Sequence, residues 1–166
     1  MEPRASPVAA AVVLAALAIA AGAQARQQLV TSGYPYARAC PGAGERDDVD
    51  RWKMNTCNCT SYVAWALAAN GYRTDWFVAG SMDARYWPEV AERHRIATGH
   101  RARVGAVAVW PESGKFGHLA LVTAVHADGS FAVAEYNRPG GVRFGFDRRA
   151  RVSLEDVTFV YVPRRS

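Results

Sequence analysis

The first part of the chain is an almost unbroken apolar stretch, AAAVVLAALAIAAGA over residues 9–23, which shows neither helical nor strand periodicity. The next segment, to about residue 54, is loop-like, because Tyr34-Pro35-Tyr36 and Pro41-Gly42-Ala43-Gly44 interrupt any regular element. Residues 60–70, TSYVAWALAAN, then predict a helix: Ala and Leu dominate, and Tyr62, Val63, Ala66 and Leu67 fall on one face. Gly71 follows where a left-handed cap would end it. A second helix is expected over 81–93, kinked or divided at Pro88. Beyond it the pattern changes to short β-rich runs at 103–110, 117–125, 130–136, 142–146 and 157–162. Asp128-Gly129, between two such runs, marks a hairpin turn. Helices first and antiparallel strands afterwards predict an α+β domain.

The apolar start belongs to a different class of signal. Glu2 and Arg4 precede it, Ala23-Gln24-Ala25 follows with small-x-small spacing, and the run is about 15 residues, short of the ~20 that span a bilayer. Residues 1–25 therefore read as a secretory signal peptide and residues 26–166 as a single domain. The protein is then expected to be secreted, to the periplasm or the cell wall, with no membrane association after cleavage.

Of the 166 residues, 50% are hydrophobic and 11% aromatic, which excludes a disordered chain. The net charge of +5 survives removal of Glu2 and Arg4 together, and Arg148, Arg149, Arg151, Arg164 and Arg165 supply much of it. Such a balance attracts an anionic surface such as a cell wall. It is equally the signature of a solvated Arg-rich face, and no motif of a nucleic-acid binder accompanies it.

Three cysteines leave one thiol over in an oxidising compartment. Cys57 and Cys59 are too close for an unstrained bridge, so Cys40 with Cys57 is the expected disulfide and Cys59 the free thiol. The alternative is three reduced structural cysteines. A zinc site lacks a second ligand pair at the right spacing.

Cys59 stands just before the first predicted helix. Unpaired N–H groups there favour a thiolate, which is the nucleophilic form, and equally favour an oxyanion. A base is needed. His94 and His100 sit in polar sequence and His126 beside a turn, whereas His118 opens an apolar strand directly after Gly117. Glu135 and Asn137, two residues apart at a strand end, leave one face opposite Ala134 and Tyr136. Either can orient the imidazole, and the other can support the site.

These pieces resemble the CHAP family, the cysteine- and histidine-dependent amidohydrolases/peptidases. Asn58-Cys59-Thr60-Ser61-Tyr62-Val63-Ala64-Trp65 is similar to its nucleophile motif. Residues 105–110 resemble its first core strand, Gly117-His118-Leu119-Ala120-Leu121-Val122 its histidine motif, Glu135-Tyr136-Asn137 its acid-and-amide motif, and Trp87 also fits the pattern. The resemblance implies a papain-like α+β fold with N-terminal helices packed on an antiparallel β-sheet. It implies hydrolysis of an amide bond of peptidoglycan through a thioester, with neither metal nor cofactor. Cys59 would attack, His118 serve as base and then acid, Glu135 orient His118, and Asn137 assist. The bond is either the muramoyl–alanine amide or a peptide bond of the stem or crossbridge. Peptidoglycan is the expected partner of a monomer; use as a toxin would add an immunity protein. A non-catalytic wall-binding or surface-antigen module of the same fold is the alternative. NlpC-type peptidases fit less well, since they carry Asp-Cys-Ser and a second His. Cys57 and the basic stretch 97–103 depart from the family's usual pattern.

Overall fold

The structure, a computed structural model, describes residues 28–40, 48–77 and 83–166. The expected signal peptide and the Pro41–Gly44 break lie outside those residues. Helix α1 spans Cys59–Ala69 and α2 spans Trp87–Arg93, the latter entered through a turn of 3-10 helix at Ala84–Tyr86. Strands β1 (Thr98–Gly99), β2 (Val107–Trp110), β3 (His118–Val125), β4 (Phe131–Tyr136), β5 (Phe146–Val152) and β6 (Thr158–Val160) form one antiparallel sheet in the order β1-β6-β2-β3-β4-β5. The domain is α+β, as expected.

Helix α1 is apolar nearly all round and buries seven of its residues, which is why it packs inside the molecule instead of lying on its surface. Tyr62 stacks on Tyr136 of β4 at 5.6 Å, and its hydroxyl donates to the Thr31 carbonyl. The helix stops where the sequence places the stop. Gly71 adopts φ +75°, and the Tyr72 N–H returns to the Leu67 carbonyl. Pro88 does not kink α2; it sits in the first turn, where its missing N–H costs no hydrogen bond, and the division falls at Trp87 instead.

Period-2 alternation sorts the sheet into two apolar faces. Val107, Val109, Leu119, Leu121, Ala134 and Tyr136 pack toward the helices with Trp76 and Trp87. Ala108, Ala120, Val122, Phe131, Val133 and Phe159 form a second cluster on the other face. The Asp128-Gly129 turn forms as read: Asp128 accepts the Ser130 N–H, Gly129 takes φ +83°, and the His126 N–H closes on the Ser130 carbonyl.

Two strand expectations need correction, and one short strand was not expected. Residues 103–106 are a turn leading into β2, because Gly105 adopts φ +84° against the Tyr72 ring. The run 142–146 is not a strand. Phe144 sits at φ +49°, and the real strand begins at Phe146 and continues through Asp147, Arg148 and Arg149. Its pattern is hidden in the sequence because β5 is an edge strand rich in arginine, with only Val152 of it buried. The basic stretch 97–103 contributes the two-residue edge strand β1, held to β6, at the sheet edge opposite β5. The C-terminal arginines are likewise engaged. Arg151 pairs with Asp128, Arg148 donates to Thr31 Oγ1, Arg164 to the Asn70 carbonyl and Arg165 to the Ala68 carbonyl.

Candidate active site

The segment that delivers Cys59 is tied down residue by residue. Asp50 Oδ1 accepts the N–H groups of Trp52 (2.8 Å) and Met54 (3.0 Å), an Asx-type turn. Cys57 is bonded to Cys40 as expected, with Cα atoms 5.4 Å apart, and its N–H donates to the Tyr34 hydroxyl. The Tyr34 hydroxyl also meets Ser61 Oγ at 2.6 Å. Burial, partly offset by those two bonds, pushes the Tyr34 hydroxyl up to about 12, so it remains a neutral strut. Cys59, the free thiol among the described residues, is half-buried and is the first residue of α1 itself.

The first intrahelical bond runs from the Tyr62 N–H to the Asn58 carbonyl. The N–H groups of Cys59, Thr60 and Ser61 precede it and stand at the positive end of the helix. No acidic side chain occupies the first turn to compete for them.

His118 begins β3, opposite Trp110 of β2. It shares the parity of Ala120 and Val122, so it projects from the sheet face turned away from α1. It nevertheless lines the same cleft as Cys59. Its Nε2 bonds Glu135 Oε2 at 2.8 Å, which leaves Nδ1 free for the neighbouring Cys59 thiol in the same cleft. Burial pulls the imidazole pKa down. The hydrogen bonds to Cys59 and Glu135 and their charges outweigh it and hold His118 at about 9. Glu135 is fully buried. Burial pushes its pKa up, yet hydrogen bonds from His118 and Arg149 and their charges bring it below its ordinary value. The buried pair is therefore carboxylate with imidazolium.

Cys59, His118 and Glu135 thus form one line of neighbours, in which Glu135 and not Asn137 holds the imidazole. Asn137 stands beside the line. It lies just past the end of β4 at φ +49°, where strand alternation no longer sets its direction. Its carboxamide donates to Asn58 Oδ1 at 2.5 Å and accepts the Phe144 N–H at 2.9 Å. Asn58 is the N-cap of α1 by position, but its side chain makes no capping bond. Asn137 fixes that side chain instead. His100 and His126 bond the carbonyls of Val157 and Ala150, away from the thiol.

Cys59, His118, Asn58 and Asn137 line a cleft of about 250 Å³, walled by the β2–β3 loop with Lys115 and the half-exposed Phe116. The sequence matches the CHAP domain family over residues 49–137. The chain belongs to the CHAP domain family. No curated protein sequence matches it. Among solved structures, it is similar to N-acetylmuramoyl-L-alanine amidase from Staphylococcus aureus, with a TM-score of 0.52 and 24% sequence identity. That likeness covers 63% of this chain and only 30% of the amidase chain, and it is a likeness of fold. The matched region holds all four motif residues, Cys59, His118, Glu135 and Asn137.

Three residues are given no role in the site by the sequence, although Asn58 and Trp110 fall inside the motifs that carry the resemblance and Arg149 reads there as surface charge. Trp110 stacks on His118 with centroids 6.0 Å apart, Arg149 grips Glu135, and Asn58 receives Asn137. Their roles depend on which strands are neighbours. Gly117 is different, since its place before His118 was visible but its reason was not. It adopts φ +74°, and a Cβ there would lie 2.7 Å from the Arg85 backbone nitrogen, whose N–H donates to the Phe116 carbonyl. Gly117→Ala is expected to destabilise the fold by about 3 kcal/mol, combining left-handed strain with a backbone clash. Gly114→Ala, at φ +68° with open space around it, should cost only about 1 kcal/mol. Urea midpoints at a common m-value measure both, and equal losses would remove the clash from the account.

Proposed function

We propose that this CHAP domain is an exported hydrolase that cleaves an amide bond of peptidoglycan through a Cys59 thioester. The observation that carries the reading is the buried His118–Glu135 hydrogen bond beside the free Cys59 thiol in one cleft, with that thiol at the start of a buried helix. In the first half-reaction Cys59 Sγ, its proton held by His118, attacks the carbonyl carbon, and the C=O pair moves onto oxygen. The N–H groups at the start of α1 face that charge. His118 then gives its proton to the departing amine as the C–N bond breaks, leaving an S-acyl enzyme. In the second half His118 takes a proton from water, the hydroxide adds to the thioester, and the acid is released as the thiol is restored. Glu135 holds the imidazole in orientation and balances its charge. Asn137 acts through Asn58.

Export is supported by the signal-like residues 1–25 and by the Cys40–Cys57 disulfide, which suits an oxidising compartment. Action outside the cell or in its wall follows from both, and peptidoglycan is the substrate class that goes with the family and with the net positive charge. The test is digestion of purified sacculi by residues 26–166, with mass spectrometry of what is released. Peptides freed whole from glycan are expected if the muramoyl–alanine amide is cut, and divided stems or crossbridges if a peptide bond is cut. Binding without any released fragment would defeat the hydrolase reading.

A further inference from the structure

Glu135 is gripped by a second group besides His118, and the two share Oε2. Arg149 Nε donates to Oε1 at 2.6 Å and Arg149 Nη2 to Oε2 at 2.9 Å, so the guanidinium holds both oxygens in a fork. The same guanidinium lies 4.9 Å over the Trp110 ring. Trp110 in turn stacks on His118, with 25° between the planes, and on Phe131 beneath it. His118, Glu135, Arg149 and Trp110 therefore close a ring in which each member touches two others. The ring comes from four strands in lateral succession: Trp110 on β2, His118 on β3, Glu135 on β4 and Arg149 on β5.

We propose that Arg149 is a positioning residue of this active site: by holding both carboxylate oxygens while anchored on Trp110, it keeps Glu135 charged and aimed at His118 Nε2. The inference rests on the catalytic reading given above. A fully buried carboxylate bonded to histidine alone could rotate or take up a proton. The fork removes both freedoms, and a lysine, with one point charge and no planar face, would restore only the charge. The other ionisable groups around Glu135 do not replace it. Arg138 lies 3.5 Å from Oε1 but is bonded to Asp147 at 3.0 Å. Asp147 faces Glu135 across the β4–β5 ladder and repels it, and Tyr62, which feels the Glu135 charge from α1, is neutral.

The test compares Arg149→Met, Arg149→Lys, Glu135→Gln and the double variant Arg149→Met/Glu135→Gln. Two quantities are followed against pH: turnover of muropeptides, and the rate at which iodoacetamide alkylates Cys59. Without the fork, Glu135 takes up a proton at higher pH, and His118 loses its counter-charge there. The acid limb of both profiles should then move to higher pH by about one unit or more in Arg149→Met, and kcat should fall about tenfold to a hundredfold with KM little changed. Arg149→Lys should return the limb part of the way. In the Glu135→Gln background the arginine change should add less than about threefold, since its target is gone. An unmoved limb in both Arg149 variants, or the same loss with and without Glu135, would overturn the proposal. Should Arg149→Met not fold, Arg149→Lys and the double variant carry the same decision. A wild-type chain that leaves peptidoglycan intact but shows the alkylation shift would refute the substrate and not the role of Arg149.

Discussion

Replacing Cys59 by alanine is expected to lower turnover of peptidoglycan on the order of 10⁵-fold or more while leaving the fold and sacculus binding in place. The size follows from the chemistry. In the proposed reaction the Cys59 sulfur forms the new bond, and no other described cysteine has a free sulfur to substitute for it. The fold should tolerate the change because Cys59 is only half-buried, and α1 is held by Tyr62, Val63, Ala66 and Leu67 on its buried side. Stability within about 1 kcal/mol of wild type is the corresponding expectation. The measurement is release of soluble fragments from sacculi beside a pull-down of the same variant. A Cys59→Ala protein that still cuts within tenfold of wild type would place the nucleophile elsewhere. One that neither cuts nor binds would show that the thiol supports the cleft itself.

The second large effect concerns the disulfide. Cys40 and Cys57 are 17 residues apart, and closing a loop of that length removes enough freedom from the unfolded chain to be worth about 3 kcal/mol. Both half-cystines are fully buried, so Cys40→Ala/Cys57→Ala also leaves a small void beneath the Tyr34 ring cluster. Catalysis should suffer as well. Cys57 holds φ +63°, an unfavourable conformation for a residue with a Cβ, only two positions before Cys59. The bridge and the bond from the Cys57 N–H to Tyr34 maintain it. The expected result is a lower denaturation midpoint and slower turnover, with iodoacetamide labelling only Cys59 in the folded, oxidised protein. Label on Cys40 or Cys57 without prior reduction would contradict the bridge. An unchanged midpoint in the double alanine variant would mean the loop is already ordered in the unfolded chain.

Much of this site is legible in the amino-acid sequence, for reasons that are local. A helix with small apolar residues on every side, stopped by a glycine, has few other conformations available, and so the position of Cys59 at its start can be read directly. The Asp128-Gly129 hairpin likewise rests on the turn geometry those two residues favour. His118 is distinguishable from three other histidines because it alone opens an apolar run after a glycine. Glu135 and its separation from Ala134 and Tyr136 follow from period-2 alternation, which holds to the end of β4.

Lateral order in the sheet cannot be read locally. An arginine-rich edge strand has half its backbone pairing open to solvent and needs no apolar alternation, so in sequence β5 looks like a solvated basic tail. For that reason Arg149 counts as surplus charge there, whereas in the fold it is the counter-ion of a buried carboxylate. Asn137 fails the alternation rule by one residue, because its positive φ turns the carboxamide toward Asn58, 79 positions earlier in the chain. Local sequence therefore sets the helices, most of the strands and the positions of Cys59, His118 and Glu135 on them, since each depends on neighbours within a few residues. That Trp110, His118, Glu135 and Arg149 share one face across four neighbouring strands is a property of the folded sheet. Strand order depends on how the whole sheet covers its two apolar faces, and no short stretch of chain encodes that.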